Sequence, residues 1–336
     1  AQANWVETLQ AFVLCFFGSR SASATRLPSC VRNMKIFLAC SSLLLVAGER
    51  WPDSLEFLSG SSSETFLGFV APLASMTGIS YIATYGSYWE PEKANETVSG
   101  FERGTFESNP TDGGLRALTF LNTTTGLGVV AFRGTDTNIS GLSGRMDMCA
   151  DAILMGTPLE SYCSDLNNET LDYFATALAF TETLALIYPE VDWMFTGHSL
   201  GAQLAELVAA VRGATALVFA SDDVNSVLRA RTALDVTALP AWRTVALFNE
   251  WDPLRFIASN NLPGAACVWP VSPAPAGCQT CDVVGQVDFS REDCGSCFQG
   301  AHVYNHYLDL LASGVVPTCS SPVPIPETHS GKVLVV

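Results

Sequence analysis

The 336-residue sequence is poor in charged residues, in basic residues and in histidine. Charged residues make up 15% of it and hydrophobic residues 48%, a balance that excludes wholesale disorder. Its 17 Lys and Arg against 33 Asp and Glu give a net charge of −16 and a pI near 4.5, and no basic run is present. Because such a surface repels phosphate backbones, we expect no nucleic-acid partner.

Long apolar runs are also missing, since none reaches the roughly 18 residues of a membrane-spanning helix. We therefore expect no transmembrane segment. Lys35 precedes an uncharged run over 36–48 that ends in small residues, a pattern typical of a signal peptide; a buried core helix is the alternative. We expect 1–33 to be upstream or leader sequence, 34–48 to be a signal peptide, and the protein to be secreted, with the lysosome or vacuole lumen as the alternative.

Cysteine usage agrees with export. Of the 11 cysteines, three precede residue 48, and the even number that remains is Cys149, Cys163, Cys267, Cys278, Cys281, Cys294, Cys297 and Cys319. In an oxidising compartment we expect all of these to form disulfides, with a local Cys149–Cys163 bridge and the other six pinning the long insertion between Asp252 and His302.

Two further patterns concern modification and metal. The spacings Cys278-Gln-Thr-Cys281 and Cys294-Gly-Ser-Cys297 are those of a zinc ribbon in a reducing compartment, so a zinc-stabilised binding module is an alternative. N-glycosylation sequons at Asn95, Asn122, Asn138 and Asn168 predict a glycoprotein.

Apolar strand-like runs alternate with helical patterns along most of the chain. Strands are predicted over 115–121, 127–132, 191–195, 216–220 and 244–248, and helices over 171–188, 200–211 and 304–311. This alternation predicts an α/β fold with a mostly parallel central sheet covered by helices on both faces. We place this domain at 49–319 and a Pro-rich tail at 320–336, and we predict no topology for 50–110.

The segment Gly197-His198-Ser199-Leu200-Gly201 is the one GxSxG in the chain. It lies between a predicted strand and a predicted helix, which is the context of a nucleophile elbow. The turn strains the backbone of Ser199, and a side chain at either glycine would collide with the neighbouring strand or helix. We predict that Ser199 is a nucleophile, with a helix-capping serine as the alternative, and that His198 is structural and points away from it.

Three segments of the chain are VVAFRGT at 129–135, DMCAD at 147–151 and FTGHSLG at 195–201. Together they resemble the class 3 lipases, the fungal and plant α/β-hydrolase esterases that act on acylglycerols. The resemblance covers 115–311 and departs from the family at Met148, where Trp is usual, and at Ala202 and Gln203, where Gly is common. It implies an α/β-hydrolase fold and lipid ester substrates at a lipid–water interface. From the cysteine pattern, we expect this fold to carry a disulfide-rich insertion. The chemistry of such an esterase needs no metal or organic cofactor.

The FRGT segment predicts part of an oxyanion hole. Thr135 follows a strand, and its backbone N–H, with its hydroxyl as an additional donor, is the first donor; the N–H of Leu200 is the second. A plain turn residue is the alternative for Thr135. We expect Arg133 to tie this loop to a carboxylate such as Asp151.

The segment 136–145 occupies the position of the family's lid. It is poor in large side chains, and the residues expected to face lipid are Ile139, Leu142 and Met146.

The acid of a triad should follow a strand that comes after the nucleophile. Asp252 follows strand 244–248 and, with Pro253, matches the DP of the family. Asp222 and Asp223 are alternatives that we interpret as solvated loop carboxylates, and Glu250 is expected to face the other way.

Only four histidines are present, so the base is found largely by elimination. His198 lies in the elbow and His329 in the tail, which leaves His302 and His306. His302 lies just before the predicted helix 304–311 and resembles the family's histidine that is followed five residues later by Tyr-Leu. We predict that His302 is the base and that His306 is a packing residue.

Together these patterns predict a secreted serine ester hydrolase, most simply a triacylglycerol lipase that uses Ser199, Asp252 and His302. Phospholipase, galactolipase and other carboxylesterase activities of the same fold are alternatives. A zinc-stabilised or non-catalytic binding protein is the alternative from another class.

Overall fold

The computed structural model describes residues 50–86, 88, 90, 97–111, 113–138, 140–156, 163–166, 168–258, 262–281 and 291–321. The predicted leader and signal peptide, the sequon at Asn95, the lid residue Ile139, His329 and nearly all of the tail lie outside these residues.

The core of the fold is an eight-stranded sheet whose strands follow one another in chain order. The strands are β1 (Glu102–Arg103), β2 (Ala117–Asn122), β3 (Leu127–Phe132), β4 (Asp192–Gly197), β5 (Thr215–Phe219), β6 (Thr244–Asn249), β7 (Ala265–Trp269) and β8 (Thr318–Ser320). From β3 to β7 all neighbours are parallel, whereas β1, β2 and β8 pair antiparallel at the two edges. The prediction of a mostly parallel α/β sheet is confirmed.

Helices cover both faces of this sheet. In chain order they are α1 (Ser63–Ile82), α2 (Leu142–Met155), α3 (Asn168–Leu171), α4 (Tyr173–Ile187), α5 (Leu200–Arg212), α6 (Val224–Arg231), α7 (Pro253–Ala258), α8 (Glu292–Ala301) and α9 (Tyr304–Ala312). Right-handed crossovers between sequential parallel strands place their helices on one face. Accordingly α2, α4, α5 and α6 share one apolar core with one side of the strands, and α1 and α9 share the other core with the opposite side.

Helix α1 is a feature that the sequence patterns did not predict. Its 20 residues are long and apolar enough to cross a membrane by length and composition, so the expectation that no segment reaches that length was wrong. A helix buried in a protein core passes the same test, and the α1 residues Phe66, Val70 and Leu73 are buried against the second core. Ser62 caps the helix by accepting a hydrogen bond from the N–H of Thr65.

Four disulfides join the cysteines predicted to be oxidised: Cys149–Cys163, Cys267–Cys319, Cys278–Cys297 and Cys281–Cys294. The local bridge at Cys149 is confirmed. The expectation that all six other cysteines pin the insertion was wrong in one respect, because Cys267–Cys319 joins β7 to its antiparallel edge strand β8. The other two bridges fasten α8 to the turn at 277–281, and they consume the four sulfurs that a zinc ribbon would need.

Candidate active site

The carboxyl ends of the parallel strands form one edge at which the candidate residues gather. Thr135 follows β3, Ser199 follows β4, Asp222 follows β5 and Asp252 follows β6. Because these four strands are hydrogen-bonded neighbours, the residues that follow them meet in one row. His302 joins this row from α8, which it ends as the C-cap.

The turn at Ser199 has the strained geometry of a nucleophile elbow. Ser199 has φ 59° and ψ −128°, a region that side-chain-bearing residues rarely adopt. A Cβ at Gly197 would overlap the carbonyl of Gly201, and one at Gly201 would overlap the carbonyl of Phe132. Glycine is therefore required at both positions, as the sequence predicts.

The structure brings together the three residues selected from the sequence. His302 Nε2 lies 3.0 Å from Ser199 Oγ, and His302 Nδ1 lies 3.0 and 3.1 Å from the two carboxylate oxygens of Asp252. Asp252 is fully buried and His302 is buried, whereas Ser199 is partly exposed. This arrangement can pass the hydroxyl proton of Ser199 to an imidazole that the carboxylate orients.

Tyr307 is a member of the site whose role the sequence patterns did not reveal. Its hydroxyl donates to Asp252 Oδ2 at 2.6 Å and accepts from the N–H of Asn249 at 3.2 Å. Burial, together with the charge of Asp252, raises the pKa of Tyr307 well above its ordinary value, so the phenol stays a donor. The N–H of Leu254 donates to the other oxygen of Asp252 at 2.9 Å. Both hydrogen bonds fix the carboxylate that orients His302.

His198 points away from Ser199 and contacts the backbone of His302 instead. Its Nε2 lies 2.8 Å from the carbonyl oxygen of His302, and its Nδ1 lies 2.8 Å from the hydroxyl of Tyr81. Burial, followed by the nearby His302, holds the pKa of His198 well below 6.5, so the ring is neutral. Since a carbonyl only accepts, Nε2 donates to it and Nδ1 accepts from Tyr81.

His306, the other candidate base, lies on α9 and contacts the backbone of α8. Its Nε2 donates to the carbonyl of Gln299 at 2.8 Å, which is the role of a satisfied packing residue.

The FRGT loop rests on the elbow, because a Cβ at Gly134 would overlap the carbonyl oxygen of His198. The Thr135 hydroxyl donates to Asp151 Oδ2 at 2.7 Å, which leaves the backbone N–H of Thr135 as the donor free to face a ligand. No acceptor for that N–H is present in the described part of the chain. Leu200 begins α5, so its N–H has no intrahelical partner either. Burial raises the pKa of Asp151 to about 8.

Arg133 ties this loop to α2, but through a different carboxylate from the one expected. Its Nη2 lies 2.5 Å from Asp147, whose carboxylate also accepts from the backbone N–H of Asp136 and from the hydroxyl of Tyr173. The expected pairing of Arg133 with Asp151 was wrong, because Asp151 accepts from Thr135 instead.

The segment in the lid position is short and partly packed. Leu142 is exposed at the start of α2, but Met146 is buried against the Cys149–Cys163 bridge. The expectation that Met146 faces lipid was therefore wrong.

The interpretation of Asp222 as a solvated carboxylate was also wrong. Asp222 is 3% exposed, and burial raises its pKa to about 6. Asp223 caps α6 by accepting from the N–H of Ser226 at 2.9 Å. Glu250 turns away from the row, as expected, and accepts from the N–H of Val271. Within the described ranges, no group of three or more side chains has the make-up of a metal site.

No protein-family model and no curated protein matches the chain. Solved structures that are similar to it include lipase II from Rhizopus niveus (12% identity, 61% of this chain and 80% of that chain, TM-score 0.40). Others are the lipase from Rhizopus microsporus var. chinensis (13%, 62% and 76%, TM-score 0.39) and Lip2 lipase from Yarrowia lipolytica (13%, 63% and 82%, TM-score 0.37). The chain itself has a mostly parallel sheet covered by helices on both faces and a strand–turn–helix elbow at Ser199, and these features are those of an α/β-hydrolase fold.

Proposed function

We propose that this protein is a serine ester hydrolase that acts on lipid esters, most simply triacylglycerols, through an acyl-enzyme on Ser199. The observation that carries the proposal is the continuous chain of contacts from Ser199 Oγ through both nitrogens of His302 to Asp252, each at 3.0 to 3.1 Å. The strained backbone of Ser199 supports it, because an ordinary helix cap does not adopt φ 59°.

In the proposed mechanism, Ser199 Oγ attacks the ester carbonyl while His302 Nε2 takes the hydroxyl proton. Asp252 holds the Nδ1–H and stabilises the imidazolium that forms. The N–H groups of Thr135 and Leu200 stabilise the oxyanion, and such donors are typically worth about 3 kcal/mol each. His302 then protonates the departing alcohol. Water attacks the acyl-enzyme with His302 again as the base, which releases the fatty acid and restores the serine.

The choice of neutral lipid esters draws on the motifs that resemble class 3 lipases and on charge. A net charge of −16 opposes adsorption on anionic membranes. Phospholipid and galactolipid esters are the alternative substrates within the same chemistry.

Export to an oxidising compartment is part of the proposal, because the four disulfides are stable there. A signal peptide at 34–48, the domain bounds 49–319 and glycosylation at the sequons belong to the same proposal. The lumen of the lysosome or vacuole would serve the disulfides equally well.

The decisive experiment is active-site labelling with a fluorophosphonate, followed by hydrolysis of p-nitrophenyl butyrate and p-nitrophenyl palmitate. We expect the wild type to be labelled at Ser199 and to cleave at least one ester, and Ser199→Ala to do neither. Emulsified triolein, phosphatidylcholine and a galactolipid then rank the substrate classes. A folded wild-type protein that is not labelled and cleaves no ester would leave only a non-catalytic binding protein on this fold.

A further inference from the structure

A second buried carboxylate occupies the same row as the candidate triad. Strand β5 lies between β4 and β6 in the sheet. Asp222 comes as many residues after the end of β5 as Asp252 comes after the end of β6. The end of β5 contacts the elbow, because the N–H of Ser199 donates to the carbonyl of Phe219 at 3.1 Å. Sheet geometry therefore places Asp222 between the nucleophile and the triad acid.

The hydrogen bonds of Asp222 do not explain why it is a carboxylate. Oδ1 accepts from the N–H of Asp223 at 2.7 Å, a bond that an asparagine would make equally well. Oδ2 is buried and has no hydrogen-bond partner among the described residues. Leaving a buried acceptor unpaired is costly, and more so when it is charged. A purely structural loop residue gains nothing from that second oxygen.

The charged groups that interact with Asp222 indicate its role in the site. They are three carboxylates, of Asp223, Asp252 and Asp151, and one base, His302. The three carboxylates oppose ionisation of Asp222, whereas a positive charge on His302 favours it. In the proposed mechanism His302 becomes positive each time Ser199 is acylated or deacylated.

We propose that Asp222 is a positioning residue of this active site, whose negative charge stabilises the imidazolium of His302 while Asp252 orients the ring by hydrogen bonds. The inference rests on the proposed ester hydrolysis. Asp222 does not touch the reacting atoms, and it acts on turnover rather than on substrate binding.

The charge of Asp222 depends on pH within the working range of such an enzyme. Burial raises its pKa to about 6, so the carboxylate is present above that pH and protonated below it. Its effect on turnover should therefore be largest at pH 8 and decrease towards pH 5.

The test compares Asp222→Asn with the wild type on a soluble ester, p-nitrophenyl butyrate, from pH 5 to pH 9. We expect kcat at pH 8 to fall roughly three- to tenfold, the size of effect that one charge several ångströms away produces. The KM of Asp222→Asn should stay within about twofold of the wild-type value, and the ratio of wild-type to variant kcat should approach one at pH 5. The acid limb of the pH–rate profile should lie at lower pH in the variant than in the wild type.

Two further variants separate electrostatics from structure. Asp223→Asn removes a neighbouring negative charge and keeps a good helix cap, so it should leave kcat at pH 8 unchanged. Because the charge of Asp223 opposes ionisation of Asp222, the pH at which kcat declines should move only downwards in this variant. Asp222→Glu restores the charge and should recover part of the lost kcat. If Asp222→Asn does not fold, Asp222→Ser is measured in the same way.

A plateau kcat of Asp222→Asn that equals the wild-type value, or an equal loss in Asp223→Asn, would overturn the inference. Fluorophosphonate labelling of the wild type distinguishes a failure of this inference from a failure of the proposed function. A labelled, active wild type with no pH-dependent loss in Asp222→Asn refutes the role of Asp222 alone. A wild type without labelling or activity refutes the hydrolase and this inference with it.

Discussion

Stability should depend on pH through a buried glutamate beneath the elbow. Glu206 on α5 is fully buried; the hydroxyl of Ser221 donates to its Oε2, and its Oε1 has no partner among the described residues. Burial raises its pKa from 4.5 to about 8. Well below pH 4.5 the side chain is protonated in both the folded and the unfolded state, so its titration adds no pH dependence to stability there.

Between pH 4.5 and pH 8 the unfolded chain releases this proton and the folded protein keeps it. The free energy of unfolding then falls with rising pH by about 1.4 kcal/mol per pH unit, or at most about 4 kcal/mol from pH 5 to pH 8. Glu206→Gln removes the titration. We expect its stability relative to the wild type to rise by that amount across the same range.

The measurement is equilibrium unfolding in guanidinium chloride with the disulfides intact, followed by tryptophan fluorescence at pH 5, 6, 7 and 8. Glu182→Gln, on the exposed face of α4, is the matched control and should parallel the wild type. The other buried carboxyls titrate alike in all three proteins, so they cancel in the differences. Parallel pH dependences for wild type and Glu206→Gln would refute the reasoning.

Three more predictions concern the site. His302→Ala should lower kcat/KM by roughly 10⁴-fold or more while the protein stays folded by circular dichroism, and His306→Ala should lower it less than about tenfold; equal losses would show that the wrong base was chosen. Tyr307→Phe removes a charge-assisted hydrogen bond and should lower kcat about tenfold at unchanged KM, so an unchanged kcat contradicts its role. Replacing Cys278 and Cys297 by serine should lower kcat even at temperatures at which the variant is still folded, because that bridge holds the helix that carries the base. A variant that unfolds at a lower temperature but keeps the wild-type kcat while folded argues against this.

The parts of the fold that local patterns determine were predictable from the sequence. The strands β3 to β6 are buried on both faces and read as short apolar runs, and the elbow carries its own glycines. The catalytic base could be predicted because the sequence has few histidines among which to choose. Helix α1 was missed because apolar residues surround nearly its whole circumference, which removes the helical periodicity on which such a prediction depends.

Other features depend on tertiary contacts that no local pattern contains. Asp147 and Asp151 lie one turn apart on the same face of α2, so spacing alone does not show which of them Arg133 reaches. The docking of the helix decides it, with Asp147 against Arg133 and Asp151 against Thr135. Asp222 was interpreted as solvated because Ser-Asp-Asp after a strand is ordinary loop composition, and its burial follows from the central position of β5 in the sheet.

The sequential order of the strands has a consequence for how this site is held together. Because β3 to β6 are neighbours in both sequence and space, Thr135, Ser199, Asp222 and Asp252 are positioned by the hydrogen-bonded ladder of the sheet itself. His302 has no such support, since it arrives from α8, outside the sheet. Two disulfides fasten that helix, and the carbonyl of His302 accepts from the elbow histidine. The disulfide-rich insertion therefore supports the base. This explains why two of the disulfides lie at α8, where no hydrogen bonds of the sheet hold the chain in place.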